Sequence, residues 1–219
     1  MFKDRDIERV RDGSTFAMAG WLIGSGAFQT GDFEFNSGLP SPMKIEVDRP
    51  SIYSEFHTVV SAGIADHIDF ADTHPDILVG VITGGASFAY HTSQILDTRF
   101  ASRLGNTDTD EKKKLVHGEI KPGDKVVLIE DAVTTGGNTL ATKERVEAEG
   151  GKVILAVSIF DYGFPIARDN FNSAGLPHTS LTTLAHLIQV LEWENEQGLV
   201  FRLKAWRDKT VPEFFANQG

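Results

Sequence analysis

Lys125-Val126-Val127-Leu128-Ile129-Glu130-Asp131-Ala132-Val133-Thr134-Thr135-Gly136-Gly137-Asn138-Thr139-Leu140 is the stretch that decides how this chain folds. Val126 to Ile129 is an unbroken apolar run, which suits a parallel strand buried on both faces. Glu130 and Asp131 end the run, and Thr-Thr-Gly-Gly-Asn turns away from it. Thr139 to Glu149 has helical spacing, with Leu140 and Val146 inward and charges outward. Gly150-Gly151 stops that helix, and Lys152 to Phe160 reads as the next strand. Strand, glycine loop, helix and strand make one βαβ unit, so the fold class is α/β with an open, mostly parallel twisted sheet flanked by helices.

The loop has a specific chemistry. Small residues leave several backbone N–H groups free to converge on one anion, and the helix behind adds the positive end of its dipole. A phosphate monoester fits there. The two acids would repel phosphate; they suit hydroxyl groups or a magnesium-bound diol. A ligand with a terminal phosphate and a nearby diol is a ribose 5-phosphate. No Gly-Lys-Ser/Thr follows the glycines, so this is not a Walker loop. Nor is it the Gly-x-Gly-x-x-Gly dinucleotide pattern.

Four apolar residues, two acids, two variable residues and Thr-Thr-Gly-Gly resemble the phosphoribosyl diphosphate (PRPP) motif of the phosphoribosyltransferases. The resemblance implies the type I phosphoribosyltransferase fold. It gives Glu130 and Asp131 the ribose hydroxyls and a catalytic part. It gives Ala132, Val133, Thr134, Thr135, Gly136, Gly137 and Asn138 the 5-phosphate, with Thr134 one step from both base and phosphate.

The bulk numbers bound the rest. At 219 residues, 41% of them hydrophobic, the chain suits one domain with a full core. A formal charge of −10 with no basic stripe argues against a nucleic-acid partner. With no cysteine, disulfides, thiolate zinc sites and a cysteine nucleophile are all excluded. The charged N-terminus lacks an apolar signal core, and no run approaches a membrane span. The expectation is a soluble, cytoplasmic protein with no membrane contact.

Ile7 to Ile23 predicts an N-terminal helix, punctuated at Asp12-Gly13-Ser14. Asp32 to Asn36 and Met43 to Val47 alternate around a Ser-Gly-Leu-Pro-Ser-Pro turn, which predicts an antiparallel hairpin. Phe33, Ser37, Gly38, Ser41 and Pro42 in this spacing resemble the small N-terminal hood of orotate phosphoribosyltransferases. That resemblance places the hairpin over a base pocket, with Phe35 and Asn36 among its lining. Asn36 stands where many members carry Lys.

Ser54 to Phe70 has helical spacing, and His57 and His67 on it read as surface or packing residues. Pro75 to Ile82 predicts the first buried strand, and Thr83-Gly84-Gly85 turns off its end into a helix from Phe88 to Leu96. Ligands of open α/β sheets sit at carboxyl strand ends. Two anion-ready loops at one sheet edge suit a substrate with phosphates at both ends, and the family places pyrophosphate at this earlier loop.

Arg99 to Arg103 predicts a short strand. Leu104 to Glu111 is Gly-, Asn-, Thr- and Asp-rich, and Lys112-Lys113-Lys114 follows; this composition predicts a mobile exposed loop. The family closes such a loop over the diphosphate and shares it between subunits of a homodimer. Its usual form is Arg-Lys-x-x-Lys-x-His-Gly. Arg103 matches the Arg, whereas Leu104 to Asp110 holds none of the following Lys or His. The catalytic cations would then be Lys112 and Lys113, with Lys114 and His117 nearby. Farther on, Asp161-Tyr162 stands where many orotate enzymes have Asp-Arg. This puts Tyr162 at the base and leaves its carboxylate to backbone amides of the hood. Leu184 to Trp193 predicts a helix, and the apolar content of Gly198 to Gly219 predicts packing onto the body or a partner subunit.

The resemblance therefore implies one phosphoribosyltransferase domain over residues 1–219. It has a hood to about residue 50, a core to about residue 195 and a C-terminal packing segment over residues 196–219. It implies transfer of phosphoribosyl from PRPP to orotate, with magnesium carried mainly by PRPP and no metal site built from protein ligands alone. Transfer to another base, and a non-catalytic PRPP-binding regulator, are the alternatives.

Overall fold

A computed structural model of the chain describes residues 4–81, 84–103 and 115–217. Thr83 and the lysine run Lys112 to Lys114 lie outside the described residues. The chain divides into two compact units: residues 51–181, and residues 1–50 with 182–219.

The first of these is built on a six-stranded sheet in the order β5-β4-β3-β6-β7-β8. Its strands are β3 (Ile77–Gly80), β4 (Arg99–Arg103), β5 (Leu115–His117), β6 (Lys125–Val133), β7 (Lys152–Asp161) and β8 (His178–Thr183). β3 pairs in parallel with both β4 and β6, and β6 in parallel with β7; β5 is antiparallel to β4. Ile77, Leu78 and Val79 of β3 and Val126 to Ile129 of β6 are fully buried, as a strand covered on both faces requires. The helices are α2 (Ser54–Phe70), α3 (Gly85–Ile95), α4 (Gly137–Ala148) and α5 (Pro165–Ser173).

The order of strands positions the site. From β3 the chain passes through α3 to β4 on one side; from β6 it passes through α4 to β7 on the other. Right-handed crossovers running in opposite directions put α3 and α4 on opposite faces and open a crevice between the carboxyl ends of β3 and β6.

The second unit contains α1 (Asp4–Gly24), the hairpin of β1 (Phe28–Glu34) and β2 (Pro40–Ile45), α6 (Leu184–Trp193), α7 (Gln197–Ala205) and α8 (Val211–Ala216). Several boundaries differ from the sequence reading. The hairpin turn is shorter: Pro40, Ser41 and Pro42 belong to β2, at the edge positions where proline is tolerated. α6, expected in the core, belongs with the hairpin unit. The C-terminal segment packs on the hairpin, where the indole Nε1 of Trp206 donates to the carbonyl of Pro40 at 2.8 Å. His67 bonds back to the carbonyl of Gly63, and His57 packs against Phe88 and His91; both are packing residues. Among the described residues no helix is long and apolar enough to cross a membrane.

Candidate active site

β6 does not stop at its acids. Its ladder with β7 continues through Glu130 opposite Ser158, Ala132 opposite Phe160 and Val133 opposite Asp161. The expected strand end at the acids is thus two residues early, because the ten-residue β7 keeps offering partners. Val133 is a core residue at 2% exposure, and its carbonyl accepts the N–H of Tyr162 at 3.0 Å. The N–H of Ala132 donates to the carboxylate of Asp131 at 2.8 Å. The Ala132 N–H and the Val133 carbonyl are thus engaged within the protein. The open part of the loop is Thr134 to Asn138.

The two acids are unequal. Glu130 is 4% exposed, and the Thr139 hydroxyl of α4 donates to it at 3.0 Å. Burial first, and the neighbouring Asp131 charge second, push its carboxyl well above the ordinary carboxylate range. Asp131 is only half-buried and lies beside the first glycine turn.

That turn is tight against β6. A Cβ at residue 84 would fall 2.2 Å from the Asp131 carboxylate, and one at residue 85 would fall 2.1 Å from the carbonyl of Ile129. Glycine at both positions lets the start of α3 press onto the end of β6, which brings Asp131 and the two loops together. Gly136 is constrained differently. Its φ is +77°, in the left-handed region, and a Cβ there would meet the Phe171 ring at 2.8 Å. The first N–H groups of α3 and α4 have no partner carbonyl within their helices. The N–H of Gly85, first in α3, donates to the Val81 carbonyl at 3.1 Å; both helices direct a positive dipole end at the crevice.

The loop is braced from behind by α5. Ala167 and Phe171 face inward at i and i+4, and Asn170 donates its side-chain amide to the carbonyl of Thr135 at 2.9 Å. Phe171 in turn stacks on His178 at 4.5 Å, and His178 bonds to the Ser158 hydroxyl. Thr139, Asn170 and Phe171 carry no site role in the sequence reading, and no spacing there gives them one.

The remaining expected site residues are placed as follows. Arg103 ends β4, opposite Leu115 of β5. Tyr162 is 2% exposed, with its ring edge-on to Phe160 at 5.0 Å and tilted on Phe164 at 5.6 Å. This aromatic cluster packs one face and edge of the ring. In the hairpin unit, Phe35 and Asn36 form the turn: Phe35 bonds to Leu39 at 3.0 Å, and its carbonyl accepts the N–H of Gly38 at 2.8 Å. Asn36 is exposed there. No group of three or more His, Asp or Glu gathers into a metal cage among the described residues.

A crevice at a topological switch, two glycine-tight anion loops and a carboxylate between them define a protein that handles a phosphorylated, hydroxyl-bearing small molecule. The chain belongs to the phosphoribosyl transferase domain family, whose sequence model matches residues 53–170. The orotate phosphoribosyltransferase of Streptococcus gordonii is 29% identical over 179 residues, 80% of this chain and 85% of that protein. That of Porphyromonas gingivalis is 28% identical over 180 residues, 80% of this chain and 84% of that protein. The crystal structure of orotate phosphoribosyltransferase from Aeropyrum pernix matches with a TM-score of 0.70 at 24% identity, over 80% of this chain and 99% of that one. Leishmania donovani UMP synthase matches with a TM-score of 0.80 at 22% identity; the match covers 90% of this chain and 43% of that longer one. At these identities the solved structures share the fold.

Proposed function

We propose that the protein is an orotate phosphoribosyltransferase: it moves the 5-phosphoribosyl group of PRPP onto orotate and releases pyrophosphate, a step toward UMP in pyrimidine biosynthesis. The observation that best supports this reading is the close approach of Gly84 to Asp131, which brings a carboxylate against the first glycine turn. Thr134 to Asn138 take the 5-phosphate, Gly84 and Gly85 with Thr83 take the diphosphate, and Asp131, backed by the enclosed Glu130, orients the ribose. Asp131, a single half-buried carboxylate and too little to hold a cation alone, would share a magnesium ion with bound PRPP. The chemistry it would supply there is neutralisation of charge on the diphosphate. The reacting sugar is cation-like when pyrophosphate leaves, so catalysis means positioning and charge neutralisation.

The test is turnover of PRPP with orotate, with purine bases as controls. Glu130→Gln with Asp131→Asn should lower kcat/KM at least ~100-fold, about 2.7 kcal/mol of transition-state stabilisation. Full activity in that double variant removes these acids from the site. Preference for a purine would change the acceptor, and PRPP binding without turnover would make the protein a regulator.

The loop that departs from the family pattern uses Lys112 to Lys114 as its cations in this proposal. Replacing all three with Ala should cut turnover and leave the fold intact; an unchanged rate assigns them to the solvated surface. We also propose a homodimer. Tyr90 and Ile95 of α3 and Ile52 and Tyr53 before α2 are exposed apolar side chains suited to a partner copy. Light scattering reads this directly, and a monomer at assay concentration would refute it.

A further inference from the structure

We propose that Asn170 is a positioning residue for the phosphate loop, acting through one peptide plane; this rests on the reading of Thr134 to Asn138 as the 5-phosphate cradle. In a trans peptide, the carbonyl of one residue and the N–H of the next point in opposite directions. The Thr135 carbonyl is tied to the Asn170 amide at 2.9 Å, on the α5 side of the loop. The N–H of Gly136 is thereby turned away from α5, toward the mouth of the loop. Without that tie the plane could rotate. Gly136 sits at φ +77°, and glycine crosses φ space at little steric cost. A rotated plane would aim a carbonyl oxygen at the phosphate and replace an attraction by a repulsion.

The surroundings limit what else Asn170 could be for. It is half-buried on α5, between the inward-facing Ala167 and Phe171. Phe171, at 3% exposure, supplies the apolar packing beneath Gly136 and stacks on His178. Packing therefore fixes where the loop lies, and Asn170 fixes which way its peptide faces. Only a donor can do this, because the Thr135 oxygen can only accept. An Asp of the same shape would fail while ionised and recover once protonated.

This difference supplies the experiment. Steady-state kinetics of Asn170→Asp and wild type are compared from about pH 8 down to about pH 5, where a carboxyl near a carbonyl begins to hold its proton. Near pH 8, KM for PRPP should rise about fivefold, the worth of one hydrogen bond. kcat and KM for the base should hardly change. The ratio of variant to wild-type KM should fall toward one as the pH drops. Asn170→Ser, too short to reach Thr135, should show the same rise with no recovery at low pH.

Binding separates the two loops. Ribose 5-phosphate should bind both variants more weakly than wild type, whereas pyrophosphate should bind all three alike. An unchanged KM in Asn170→Ser, or a ratio flat with pH in Asn170→Asp, overturns the proposal while wild type remains active. Asp169→Asn, an exposed change on the same helix, controls for altered charge and should behave as wild type. A wild-type protein with no affinity for ribose 5-phosphate would instead overturn the reading of the loop itself.

Discussion

Glu130 shows how far environment separates two adjacent residues of the same chemistry. Asp131 is half-buried at the crevice, while Glu130 is enclosed under α4 with Thr139 as its donor. Burial, helped by Asp131, makes the folded protein hold the Glu130 proton more tightly than the unfolded chain does. The sign of the consequence follows. Below the ordinary value of 4.5 both states are protonated and the group costs the fold nothing; as pH rises toward its raised folded value, stability is lost. Glutamine is neutral at every pH and still accepts the Thr139 hydrogen bond. Glu130→Gln should therefore melt above wild type near pH 8, with the gap closing as pH falls through the ordinary carboxylate range. Equal melting temperatures near pH 8 would mean that Glu130 is not strained by its burial. None of this was legible in the sequence. Glu130-Asp131 reads there as two equivalent acids, because the hydroxyl that encloses one of them lies on the next helix.

At the scale of elements, the site is a joint between two strand–loop–helix units. β3 with α3 and β6 with α4 meet where Gly84 and Gly85 press on Ile129 and Asp131. Gly84→Ala should lower kcat/KM for PRPP at least ~10-fold, about 1.4 kcal/mol, because its methyl group must displace the Asp131 carboxylate. Kinetics equal to wild type would show that Asp131 is free to move without loss. Both loops were readable from the chain, since apolar runs ending in glycine turns mark carboxyl strand ends. Their contact was not, because a glycine kept for a close approach looks like one kept for a turn. The brace from α5 was equally hidden. Asn170 and Phe171 lie more than thirty residues beyond the loop they support, and no periodicity relates them. β6 outruns its expected end for a related reason: a strand's extent is set by its partner's length.

Over the whole molecule, the α/β class and the parallel strands follow from buried apolar runs alternating with helical spacing. The strand order does not, since it depends on where each crossover turns. It is this order that opens the crevice between β3 and β6. In the other unit, the C-terminal residues were recognisable as packed from their aromatics, but their anchor was not: the Trp206 indole meets the Pro40 carbonyl across most of the chain's length. The account as a whole is tested most directly by a crystal structure of the protein with PRPP and magnesium. It predicts the 5-phosphate on the amides of Thr134 to Asn138, the ribose hydroxyls at Asp131 and the diphosphate against Gly84 and Gly85. PRPP bound elsewhere, or a crevice closed to it at saturating concentration, would contradict it.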